Sequence, residues 1–294
     1  MHICWKGFSH VHTCYRCPFM LLGAHVSVAG CIARAVGRQL DIGGNCGQIF
    51  THSPRVWRHT PIPDEDARRF HKESVENLQG PWVIHASYLV NLSTPNERLR
   101  EKSLRSLQKE IDAAGSLGIP YVNVHLGAHT GAGEEQGLIN AAGAIDQLSI
   151  PDDVTLLIET DAGSGTKLGG TFEHLAAIQE FTSLDVGFCL DTAHVFVAGY
   201  DLSTPQEVDS TVARFDDVVG LEQLKCIHLN DSTYALGSHR DVHAHIGKGH
   251  IGEAGMRRIV NHPGLQHLPF LLETPKETET SDIENIRRVQ ALRC

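Results

Sequence analysis

Eight short runs of β-branched and apolar residues recur along the chain. They are Leu21–His25, Gly47–Thr51, Trp82–Ala86, Tyr121–Gly127, Thr155–Thr160, Val186–Thr192, Cys226–Asp231 and Pro269–Thr274. Between them the apolar spacing changes to three and four residues. Glu97–Leu117 shows this most clearly, with Leu99, Leu104, Leu107, Ile111 and Ala114 on one helical face. Asp64–Leu78, Glu135–Gln147, Phe172–Phe181, Thr204–Val219, Glu253–Val260 and Ser281–Leu292 read the same way. Strands that alternate with helices run parallel, because each crossover returns the chain to the same end of the sheet. Eight such units predict an α/β fold, a (β/α)8 TIM barrel in a single domain. An open doubly wound sheet is the structural alternative, but no Gly-rich dinucleotide fingerprint follows the first strand. The Gly-rich stretches Gly127–Gly133, Gly163–Gly170 and Gly247–Gly252 follow or lie near strand ends, where a barrel builds its catalytic face.

Composition narrows the class. At 294 residues the chain could hold one barrel or two ordinary domains, and no Pro/Gly/Ser-rich linker divides it. A hydrophobic content of 41% with 20% charged residues is that of a globular chain with a packed core. No apolar stretch approaches the ~20 residues that span a bilayer, and the polar start lacks a signal-peptide core. A cytoplasmic protein without a membrane partner is expected, and nothing points beyond a monomer. The eight cysteines are scattered through a long chain without a secretion signal, which argues against a disulfide framework. Cys4, Cys14 and Cys17 crowd the start beside His2, His10 and His12, but a single CxxC falls short of a zinc ribbon. Residues 1–20 are expected to be a disordered extension or to precede a true start at Met20, and 21–294 to form the barrel domain. The net charge of −10 excludes a general DNA coat. It leaves DNA binding open where the cations and any metals gather on one face.

The chemistry sits at the ends of the runs. His85, His125, Glu159, Asp191, His194, His228 and Glu273 lie at or just beyond them, while Asp241 and His243 stand two apart in a polar loop. A lone histidine at a strand end is commonly structural. A carboxylate ending a buried strand is costly without a cation. Asp191 could be a helix N-cap, although 191–194 reads as strand entering loop, and Asp231 could be a turn former. Six consecutive strands presenting such groups at one end argue against coincidence. Histidine and carboxylate without cysteine form the donor set of a hydrolytic zinc site. Nine donors exceed what one ion uses.

The stretches GAHVSVAG (23–30), IFTHSPRVW (49–57), HASYLVNL (85–92), VHLGAH (124–129), LIETDAGSGTKLG (157–169), FCLDTAHVFVAGYD (188–201), HLNDS (228–232), DVHAHIGKGHIG (241–252) and LLETP (271–275) resemble endonuclease IV, the family 2 apurinic/apyrimidinic (AP) endonucleases. The resemblance runs from about Leu21 to the C-terminus. It implies three zinc ions per chain, with manganese admissible at some sites. His85, His125 and Glu159 would hold the first. Glu159, Asp191, His228 and Glu273 would hold the second, and His194, Asp241 and His243 the third. It further implies double-stranded DNA with abasic sites as substrate, and Glu159 and Glu273 as catalytic carboxylates. Arg55, Tyr88 and Leu89 match the residues that enter the DNA. Val242 stands where relatives often carry a basic residue, and Arg240 is the candidate replacement.

The alternative is a xylose isomerase-like sugar isomerase or epimerase. It uses Glu159, Asp191, His228 and Glu273 with one or two ions, and leaves His85, His125, His194, Asp241 and His243 unemployed. Metal analysis separates the two. We expect more than two zinc ions per chain, and a content near one would exclude the three-ion reading.

Overall fold

The computed structural model describes residues 20–293. The cysteine-rich start falls outside them, as does the expectation for residues 1–19. Seven strands follow in order: β1 (Leu22–His25), β2 (Cys46–Ile49), β3 (Trp82–His85), β4 (Tyr121–Val124), β5 (Thr155–Glu159), β6 (Gly187–Asp191) and β7 (Leu224–His228). A short hairpin, β8 (Asp231–Ser232) with β9 (His243–Ala244), precedes β10 (Phe270–Leu272). The seven strands and β10 close a parallel barrel, with β1 pairing β2 on one side and β10 on the other. Among the described residues no helix is long and apolar enough to cross a membrane.

Strand periodicity explains the layers. Cys46, Val83, Leu157, Cys189, Cys226 and Leu271 come from six strands yet form one buried cluster, which places them inside the barrel. The opposite parity, such as Ile84, Leu156, Ile158, Phe188, Ile227 and Phe270, belongs to the larger core against the helices. Side chains two residues apart share a face. The next inward layer is therefore Gln48, His85, Glu159, Asp191, His228 and Glu273, completed by His25 and Asn123. All eight positions are polar, and they rim the C-terminal end where barrels place their sites.

The helices are α1 (Arg34–Asp41), α2 (Asp64–Asn77), α3 (Glu97–Leu117), α4 (Glu134–Ile145), α5 (Phe172–Phe181), α6 (Thr192–Ala198), α7 (Pro205–Val218), α8 (Gly252–Asn261) and α9 (Ser281–Leu292). Caps set several ends. Asn96 accepts from the Leu99 amide, Thr171 from His174, and Thr204 from Glu207 with Pro205 in the first turn. Two sequence expectations are corrected. The 191–194 segment enters helix α6, because the Asp191 carboxylate accepts the His194 amide at 2.9 Å and caps it. The run ending at Asp231 breaks at His228. Asp231 instead starts the hairpin and gathers the amides of Ser232, Gly249, Ile251 and Gly252.

Barrel closure also dictates a glycine. A Cβ on Gly23 would lie 1.9 Å from the Cys46 carbonyl oxygen and 2.5 Å from Gln39 Nε2. Since β2 cannot retreat without opening the sheet, Gly23→Ala should destabilise the fold by about 1–3 kcal/mol. Urea unfolding followed by far-ultraviolet dichroism would measure this, and wild-type stability would contradict the packing argument.

Candidate metal centre

Glu159 is the hub of the barrel mouth. It is fully buried, and its two oxygens face different histidines. Oε2 lies 3.1 Å from His85 Nε2 and 3.3 Å from His125 Nε2, while Oε1 lies 2.9 Å from His228 Nδ1. Glu273 Oε2 approaches the same His228 nitrogen at 3.4 Å, and Asp191 Oδ2 at 3.8 Å. Asp191 Oδ2 is also 3.6 Å from His243 Nε2. Asp241 Oδ1 completes the far side, 3.1 Å from His194 Nε2 and 3.4 Å from His243 Nε2.

Three groups of donor atoms, each within 4.8 Å of one another, result: His85, His125 and Glu159; Glu159, Asp191, His228 and Glu273; and Asp191, His194 and His243. The structure thus brings all nine sequence candidates to one rim. In the third group Asp191 takes the place that the sequence gave to Asp241, which lies beside His194 and His243 but outside that cluster.

Backbone carbonyls and side chains outside the nine fix the ring orientations. His85 Nδ1 donates to the Ala86 carbonyl at 2.8 Å, His194 Nδ1 to Thr160 at 2.9 Å and His243 Nδ1 to Glu273 at 3.0 Å. Each bond leaves Nε2 with its lone pair turned into the site. His228 is held the other way round. Its Nε2 donates to Gln48 Oε1 at 2.8 Å, which frees Nδ1. Gln48 Nε2 donates to Glu273 Oε1 at 2.7 Å, so one buried amide orients two candidate ligands. Asn123 donates to Glu159 at 2.5 Å and Asn230 to Asp191 at 2.7 Å. Asp161 sits 3.5 Å from His125 Nδ1 and 3.3 Å from Lys167 Nζ. Sequence reading missed Gln48, Asn123, Asn230 and Asp161. The available signal was parity: Gln48 and Asn123 share the inward register of the ligand-type residues.

The electrostatics call for cations. Burial alone would raise the Glu159 pKa, but His125 and His228 hold it well below the usual carboxylate range. Burial likewise opposes ionisation of Glu273, and His228, His25 and His85 reverse it. His194 and His228 are pushed well above ordinary histidine against the effect of burial, by Asp191 and Asp241 and by Glu159 and Glu273. Four carboxylates are thus met by imidazoles. Among the described residues no lysine or arginine ion-pairs with Glu159, Asp191, Asp241 or Glu273. His243 Nε2 is buried without a hydrogen-bond partner. An orphaned nitrogen within an all-nitrogen-and-oxygen donor set fits divalent metal ions.

The three expected DNA contacts lie close by. Tyr88 is 59% exposed, with its ring 5.8 Å from His85 and edge-on to Phe50 at 5.3 Å. Burial, then Glu273 and Glu159, push its hydroxyl up to about 12, and Arg55 works against that shift. Leu89 is half-buried and Arg55 exposed. Ser87 Oγ donates to the Pro54 carbonyl at 2.7 Å, which ties the two loops together.

A parallel barrel with this rim is a TIM-barrel protein with a candidate polynuclear metal centre. Residues 38–292 match the xylose isomerase-like TIM barrel family. A probable endonuclease 4 of Haloarcula marismortui is 60% identical over 92% of this chain and 98% of its own length. One from Halobacterium salinarum is also 60% identical, over 94% of this chain and all of its own. The crystal structure of endonuclease IV from Thermus thermophilus superposes with a TM-score of 0.83 at 37% identity, covering 92% and 98% of the two chains. The chain belongs to the endonuclease IV family.

Gln48 provides a test of the centre that replaces no candidate ligand. Gln48→Leu keeps the volume but removes its bonds to His25, His228 and Glu273, and should weaken metal retention about 10–100-fold. Competition with a chelator, alongside an unchanged dichroism spectrum, would show it. Unaltered retention would mean that His228 and Glu273 hold their places without it.

Proposed function

We propose that the chain is an AP endonuclease that hydrolyses the phosphodiester 5′ to an abasic site in double-stranded DNA, leaving a 3′-hydroxyl and a 5′-deoxyribose phosphate. We further propose three zinc ions, held by His85, His125 and Glu159, by Glu159, Asp191, His228 and Glu273, and by His194, Asp241 and His243. The carrying observation is Glu159, whose two oxygens face separate histidine groups in the manner of a bridging carboxylate. When bound, the ions supply Lewis acidity, an acidified water and neutralisation of phosphate charge.

The chain's own residues do the rest. Glu273 is the less buried of the two catalytic carboxylates, 16% exposed against a sealed Glu159. Its carboxylate, oriented by Gln48, accepts the proton of the attacking water. Attack on phosphorus in line with the 3′ oxygen breaks the phosphorus–oxygen bond; that oxygen takes up a proton from solvent to become the hydroxyl, and Glu273 returns its own proton to solvent. Glu159 holds the histidines in place and stays ionised. Tyr88 and Leu89 fill the gap of the missing base, since an unpaired nucleotide costs least to extrude. Arg55 contacts the backbone beside them. The reading treats the protein as a monomer.

Glu273→Gln should bind AP-site duplex normally and incise it slower by about two to four orders of magnitude. Single-turnover cleavage with a binding titration tests both halves. Unchanged turnover would remove Glu273 from the proton-accepting role.

A further inference from the structure

A second group of ligand-type side chains stands outside the barrel mouth, where residues 50–63 cross α3. His52 Nδ1 lies 2.9 Å from Glu110 Oε1, and both side chains are buried, with 5% and 1% exposed. The rings of His52 and His59 approach to 3.7 Å between centroids. Donor atoms of His52, His59 and Glu110 all fall within 4.8 Å of one another. Two further bonds hold the group. The Thr51 hydroxyl donates to the second oxygen of Glu110, and His59 Nε2 bonds Ser106 Oγ at 2.9 Å, which leaves Nδ1 available. His52 Nε2 is buried with no partner. An orphaned Nε2 on a ring whose Nδ1 faces a buried carboxylate needs an explanation. Among the described residues no lysine or arginine ion-pairs with Glu110.

We propose that His52, His59 and Glu110 form an additional divalent-metal site, of zinc type, that fastens the 50–63 segment to α3. Two imidazole nitrogens and one carboxylate oxygen, with a fourth position open, make a recognised zinc donor set. The His59 pKa is lowered, chiefly by burial, so its ring stays neutral and able to ligate near neutral pH. The segment matters because it runs from Phe50, packed on His25 and His85 at the barrel mouth, through Pro54 and Arg55. An ion here would fix the loop that carries a proposed DNA contact, without entering the chemistry.

The test is zinc content of the zinc-loaded, desalted full chain against His52→Gln and His59→Gln. Each variant should hold one ion fewer than wild type and still incise AP-site DNA at saturating substrate. Equal content in folded variants would overturn the proposal. Crystals of the zinc-loaded wild type give a reading independent of variant folding. Anomalous density at the zinc edge should show a peak among the three side chains. Its absence overturns the site whatever the barrel mouth holds, while peaks at the mouth speak separately to the reading of the main centre.

Discussion

Burying carboxylates without a lysine or arginine to meet them is the constraint on which the barrel mouth depends. Glu159 and Asp191 have no solvent exposure, and an unpaired charge in such a place is costly. The fold answers with five histidines rather than with lysine or arginine. Imidazole is the one basic group that can give up its proton to a metal near neutral pH. A lysine in the same position would neutralise Glu159 permanently and close the site. Carbonyl acceptors at 86, 160 and 273 and the Gln48 amide then set the tautomers of four of them, His85, His194, His243 and His228. The chain has invested buried hydrogen bonds in aiming lone pairs, which a merely structural charge cluster would not need.

The fold was legible because two periods alternate cleanly. Three helices, Glu97–Leu117, Phe172–Phe181 and Ser281–Leu292, end where the apolar spacing ends. The strands are shorter than their apolar runs, because the terminal residues bend off into loops that carry the site. Helix α1 escaped notice since Arg34–Asp41 buries only Ala35, Val36 and Gln39. Helix α6 was hidden because a single Asp191 both caps it and faces the candidate metal centre, and sequence offered these as alternatives.

The candidate site was legible in type and incomplete in partnership. A histidine or glutamate at a strand end announces itself. Gln48 and Asn123 do not, because a neutral amide inside an apolar run is compatible with any edge or loop. Their importance lies in contacts across 225 residues from Gln48 to Glu273 and 36 from Asn123 to Glu159. No local pattern encodes those pairings. What makes them recoverable is barrel closure itself, which forces residues of equal register on eight strands into one ring.

The same ring bears on how an acidic chain addresses a polyanion. A net charge of −10 repels DNA at long range. The rim cations do little to offset it, since Lys167 is committed to Asp161 and Lys276 to Asp282 and the His25 carbonyl. Arg240 lies over the Tyr234 ring, 3.9 Å from its centroid. On the proposed function attraction would come from the exposed Arg55 and from within the mouth, where bound divalent ions would invert the sign of the local field. In that arrangement affinity and chemistry draw on the same charges. On the proposed function a phosphate would be held firmly only where it can also be cut, and Tyr88 and Leu89 would supply the remaining discrimination through shape and apolar contact, which salt screens least.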